Sequence, residues 1–86
     1  MLTKRDRAEK YDAIEALRAL RVTNLTNLCN LLDDGNKSAL GRRIGQSSAL
    51  INQLIGPNPT RSIGEVLARD IERCLGLESG WLDAKH

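Results

Sequence analysis

Aromatic side chains are almost missing from this 86-residue chain: Tyr11 and Trp81 are the only two, and there is no phenylalanine. Val22 and Val66 are the only valines. The core must therefore be built from Leu, Ile and Ala, a mixture that favours helix over strand. Histidine occurs once, as the terminal His86, and cysteine twice, as Cys29 and Cys74. A zinc site needs about four ligands, so it is excluded by count. Two reduced cysteines in a cytosolic protein are expected rather than a disulfide or redox pair. Enzyme chemistry lacks its parts too: neither cysteine has a base at helix spacing, and no Gly-rich phosphate loop precedes a helix. No catalytic residue, metal, cofactor or small-molecule ligand is expected. No apolar run approaches the ~18 residues of a membrane span. The start, MLTKRDRAEK, lacks the apolar stretch of a secretory signal.

The most informative absence is one of charge sign. Acids are scattered from Asp6 to Asp34 and again from Glu65 to Asp83, but none lies between. The intervening stretch carries Lys37, Arg42, Arg43 and Arg61. In a chain of net charge +2 with eleven acids, such a block points to a surface that approaches a polyanion.

What is present reads as helices in one domain, 1–86. Residues 3–21 contain no Gly or Pro and open with Thr3 and Asp6, a weak capping box. Asp6 and Lys10 make a favourable i,i+4 pair. Tyr11, Ile14, Leu17 and Leu20 recur every three residues, a stripe that wraps obliquely across a helix. It fits either a packing helix or a dimer contact. Thr23 is expected to cap a second helix, 24–33, whose inner face is Leu25, Leu28, Cys29 and Leu32. The run Asp33-Asp34-Gly35-Asn36 stops it as a turn, and no His or Lys in a plausible cleft makes the two aspartates a site.

The stretch 37–56, KSALGRRIGQSSALINQLIG, holds two short helices around a turn. Asn36 or Ser38 caps the first, 37–44; Gly45 ends it; Ser47 caps the second, 48–55. Gly41 provides the small residue at the helix crossing, and Leu40, Ile44, Ile51 and Leu54 stand where the locking positions belong. Gln46, after the turn, is polar where an apolar residue is usual, and is expected to be exposed at the mouth of the turn. Pro57 and Pro59 enforce a loop. Ser62 with Glu65 forms a capping box for a helix over 63–75, with Leu67, Ile71, Cys74 and Leu75 inward and Gly76 beyond its end. Trp81 and Leu82 are expected to fold back over the core.

This pattern is that of a helix-turn-helix, whose second helix enters the major groove of DNA. On that reading Ser48, Ala49, Asn52 and Gln53 face the bases. Ala49 can meet a thymine methyl, and Asn52 or Gln53 can bond adenine bidentately. Leu50 lies at the edge and either adds a methyl contact or packs. Lys37, Arg42, Arg43, Ser47, Arg61 and Ser62 fit phosphate positions, the last two beside a helix start that favours anions.

Residues 23–83 resemble the DNA-binding domain of temperate-phage repressors and Cro-type regulators of the lambda-repressor-like superfamily. The resemblance rests on ALGRRIGQSSALINQLIG, on RSIGEVLARDIERCLGL with Arg61, Ile63, Gly64, Ala68, Arg69, Ile71 and Glu72, and on the closing GWLD. It implies an all-α fold of five helices, with helix 3–21 as an addition. It also implies a homodimer on a pseudo-palindromic operator of double-stranded DNA, and transcriptional repression in the cytoplasm of a bacterium or phage-infected host, at the nucleoid. The dimer contact then falls on Trp81–Lys85 with the outer face of 63–75, or on the stripe of 3–21. Whether the chain is a small Cro-like regulator or an excised domain is left open by the sequence. The other reading, a helical protein-interaction module, explains the helices but neither the acid-free block nor the Gly41–Gly45 spacing.

Overall fold

The computed structural model describes the backbone of residues 4–86 and the side chains of 13–86. It consists of four α-helices, α1 (Lys4–Asp33), α2 (Lys37–Ile44), α3 (Ser48–Ile55) and α4 (Glu65–Cys74), followed by one 3-10 turn, Trp81–Asp83. The described residues include no strand. The fold is all-α, as expected, but the count of five main helices is not observed.

The difference lies in α1. The expected boundary near Thr23 is absent, and the segments 3–21 and 24–33 are one helix of 30 residues. Val22, Thr23 and Thr26 are weak helix formers, not breakers. The hydroxyl of Thr26 donates to the Val22 carbonyl one turn back at 2.7 Å, the i−4 bond by which a threonine fits inside a continuous helix. The helix ends where the sequence places a turn: Asp34 and Gly35 have φ of 52° and 80°, and the Gly35 N–H returns to the Cys29 carbonyl at 3.1 Å. Thr3, the Asp6–Lys10 pair and Tyr11 lie outside the residues whose side chains are described.

Leu25, Leu28 and Cys29 of α1 meet Leu40 and Ile44 of α2, Ile51, Leu54 and Ile55 of α3, and Ala68 and Ile71 of α4 in one core. Ile63, in the loop before α4, and Leu82 of the terminal turn are fully buried in it. Two expected core residues lie outside. Leu32 is 40% exposed, although its carbonyl lies near Arg43 of α2. Cys74 is exposed at the end of α4, its sulfur 3.8 Å from the Ile44 carbonyl. Both thiols are free, and burial pushes that of Cys29 up, so it stays protonated.

A second correction concerns the start of α4. The helix begins at Glu65 with Gly64 as N-cap and no side-chain cap, so the Ser62–Glu65 box does not form. The cause is Arg21. Its guanidinium is almost wholly buried and donates to the Ile63 carbonyl (3.0 Å), to Glu65 (2.8 Å) and to Asp83 (2.6 Å through Nε). Glu65 is drawn to Arg21 rather than back toward Ser62. Asp83 also accepts from Arg69 at 2.8 Å. Glu72, 1% exposed, lies 3.2 Å from Arg69 and accepts the backbone N–H groups of Gly80 (3.0 Å) and Leu82 (2.8 Å). The Asn24 amide donates to the carbonyls of Leu82 and Ala84, each at 2.8 Å. The closing GWLD is thus held by charge on both sides while Leu82 fills the core.

The Arg21 guanidinium, joined by Arg69, holds the Asp83 carboxyl below the usual carboxylate range against the opposing effect of burial. A carboxylate depressed in the folded state stabilises the fold above its ordinary pKa of ~3.9, and that contribution is lost as pH falls through the lowered folded value. Asp83→Asn should therefore cost about 2–3 kcal/mol at about pH 7, less than for a fully buried pair because the carboxylate is 24% exposed. Urea unfolding of both proteins at neutral and strongly acidic pH checks this, since the gap between them should close on acidification.

Candidate nucleic-acid interface

The region 36–62 is assembled from two capped helices and a loop tied to the second. The Asn36 side chain accepts the Ala39 N–H at 3.1 Å and starts α2. Gly45 ends it with φ 68°, in the left-handed region, and the Gln46 N–H returns to the Gly41 carbonyl at 2.8 Å. Ser47 starts α3 by accepting the Leu50 N–H at 3.1 Å. Its hydroxyl proton remains free for an acceptor outside. Gly41 stands where the chain doubles back: a Cβ there would lie 2.5 Å from the Gln46 carbonyl oxygen, too close for any side chain. Gln46, expected exposed at the mouth of the turn, is instead half-buried there.

α3 turns Ile51, Leu54 and Ile55 into the core, and this fixes what faces out. Ser48, Ala49, Asn52 and Gln53 are all exposed. Leu50 is half-buried against the core, so of its two readings packing applies. The loop that follows hangs from the end of α3: the N–H groups of Thr60 and Arg61 both donate to the Gln53 carbonyl, at 2.9 and 3.2 Å. This tether, invisible in residue types because it is main chain to main chain, carries Arg61 and Ser62 to the end of the exposed face. Both side chains are exposed.

The cations divide into two kinds. Lys37, Arg42 and Arg61 make no ion pair with any described residue. Arg42 and Arg61 are exposed, and Lys37 is half-buried. Arg43 is committed: its Nε donates to both Asp33 carboxylate oxygens, at 3.0 and 2.9 Å, and its Nη2 reaches the Leu32 carbonyl. Asp33 is the terminal residue of α1, with its side chain 8% exposed, so the pair clamps the end of α1 to α2. The turn reading of Asp33 missed this, because the pair joins two helices and leaves no local pattern in the residue types. The α4 start beside Ser62 is likewise already served by the Glu65 carboxylate in its first turn. Among the described residues no group of His, Cys, Asp and Glu could hold a metal ion, and no helix is long and apolar enough to cross a membrane.

The geometry defines an all-helical domain with one exposed, uncharged helix face framed by cations. Over 52 residues the chain is 35% identical to the prophage repressor CohE of Escherichia coli (strain K12). The match takes in 60% of this chain and 23% of that protein, so the chain spans less than a quarter of the relative's length. The similarity to a phage repressor that the residues carry is thus shown independently. No family model matches the chain, and no solved structure gives a significant match.

The crossing at Gly41 makes a sharp expectation. Gly→Ala inside a helix normally gains about 1 kcal/mol. Gly41→Ala should instead lose about 1–2 kcal/mol, because the backbone at Gln46 must move. Equilibrium urea unfolding reads the sign directly, and a stabilised Gly41→Ala protein would show that the close approach is not rigid.

Proposed function

We propose that the protein is a sequence-specific DNA-binding regulator of the phage-repressor type, a single domain in which α2 and α3 form a helix-turn-helix. The observation that carries this is the exposed face of α3: four short uncharged side chains, with cations around them and no acid between residues 35 and 64. Short side chains let the helix backbone approach base edges closely. On this reading Ser48 and Ala49 contact bases near the start of α3, and Asn52 and Gln53 read adenine through paired hydrogen bonds. Lys37, Arg42, Ser47, Arg61 and Ser62 hold the phosphates on either side and set the register of the protein on the duplex. Arg43, paired with Asp33, contributes less net positive charge to this surface than Lys37, Arg42 or Arg61. The mechanism is occupancy: phosphate contacts give salt-dependent affinity, and a few side chains give sequence choice. Similarity to a repressor supports the sign of regulation, and the working location is then the bacterial or phage-infected cytoplasm.

Two copies would occupy a pseudo-palindromic operator, with their α3 helices about 34 Å apart, one turn of DNA. What supports a dimer is apolar surface away from α3. Ile14 on α1 is 42% exposed and Val66 on the outer face of α4 is 84% exposed.

Fluorescence anisotropy with a random-sequence duplex at low and physiological salt tests the reading at its base. Binding at micromolar protein in low salt, falling steeply as salt rises, is expected; no binding under either condition would leave a helical interaction module as the better account. Selection from a random duplex library then yields the operator and its half-site spacing. On that operator Gln53→Ala should weaken binding by about 1–3 kcal/mol with little change on random DNA. An equal loss on both would remove Gln53 from base readout.

A further inference from the structure

The sequence offers no reason to connect α1 with DNA, yet the continuous helix brings Arg18 alongside the loop that follows α3. Between them runs an open groove of about 530 Å³. Arg18, Val22 and Thr23 line it from α1, and Thr60, Arg61 and Ser62 from the loop. We propose that this groove seats a phosphate of the DNA backbone, which makes Arg18 a positioning residue contributed by α1. The proposal rests on the DNA-binding reading above and extends it beyond the helix-turn-helix.

The chemistry of the walls selects the ligand. Two guanidinium groups and three hydroxyls supply donors in abundance, which suits an oxyanion. The one acid, Glu15, is already engaged, its carboxylate 3.2 Å from the Arg18 Nη1. Apart from the half-buried Val22, these wall residues are exposed, so a continuous polymer can lie across the groove without opening it. Both walls are also rigid. The loop is fixed at one end by the two N–H bonds to the Gln53 carbonyl and at the other by buried Ile63, whose carbonyl holds Arg21. Arg18 stands one turn before Arg21 on the same helix, so the guanidinium network that orients the loop also sets the distance between the walls. Because the loop hangs from Gln53, the groove adjoins the end of the α3 face. A duplex read by that face presents its backbone there.

The test uses the full chain and a labelled random duplex of about 25 base pairs, with anisotropy followed over a salt series. Arg18→Ala should bind about 3–10-fold more weakly near physiological salt and lower the salt slope by about one ion. Glu15→Gln, which frees Arg18, should tighten binding about 2–5-fold, a gain that a folding defect cannot imitate. Arg73→Ala and Asp70→Asn make the same charge changes on α4, outside the groove, and should each move binding less than twofold. If Arg18→Ala matches Arg73→Ala, or Glu15→Gln matches Asp70→Asn, net charge alone is at work and the groove is not a phosphate seat. The groove also fails if inorganic phosphate saturably shifts the Arg18 and Arg61 side-chain NMR signals while Arg18→Ala leaves duplex binding intact, since the ligand is then a free anion. Selective loss in Gln53→Ala with none in Arg18→Ala overturns the groove alone; a wild-type chain that binds no duplex overturns the DNA reading with it.

Discussion

A buried guanidinium is the constraint on which this fold turns. Removing Arg21 from water is costly, and the cost is tolerable only if its donors are met. They are met from three places far apart in the sequence: the Ile63 carbonyl, Glu65 at the start of α4, and Asp83 in the terminal turn. Each of those partners is thereby told where to be. The Ile63 carbonyl fixes the loop just before α4, Glu65 sets the first turn of α4, and Asp83 brings Leu82 into the core. In a chain of 86 residues with two aromatics, apolar area is scarce. A charge that penalises every misplacement adds definition that a Leu–Ile–Ala core by itself would lack.

The same network sorts charge. Glu65, Glu72 and Asp83 are taken up by Arg21 and Arg69, and Asp33 by Arg43. What remains facing outward around α3 is cationic or neutral. The field near that helix is therefore shaped twice, by the run of sequence without acids and by the pairing of the nearest acids elsewhere. Counting charges along the chain captures only the first of these. Screening matters less for the paired, partly buried groups than for the free ones, so salt acts mainly on the outward surface and leaves the scaffold largely alone.

Most of α2, the turn and α3 is legible in residue types, because each local rule there has a local cause. Asn36 and Ser47 cap, Gly45 adopts the left-handed turn, Gly41 admits the close crossing, and the apolar spacing places Ile51 and Leu54 inside. What escapes local reading is decided at long range. The boundary assigned at Thr23 vanishes because nothing there forbids helix, and Arg21 and Asn24 must hold one register to meet residues 63–84. The capping box at Ser62 fails because Glu65 has a stronger partner 44 residues away. Periodicity did contain the clue: Arg21 lies in line with Leu25 and Leu28 on α1, and Glu72 beside Ala68 and Ile71 on α4, charged residues at core positions that each need partners. The exposed face of α3 follows from the buried one and was readable in full; the commitment of Arg43 to Asp33 was not, since it joins two helices.

The tether between α3 and its loop has a consequence for how such a domain can diverge. Thr60 and Arg61 are held by the carbonyl of Gln53, a group every amino acid possesses. The side chain at 53 can therefore be exchanged without releasing the loop, and the same holds for the other outward positions of α3, whose inward neighbours carry the packing. Novelty in what the outer face contacts can accumulate one residue at a time on an unchanging frame, with little loss of stability to compensate at each step.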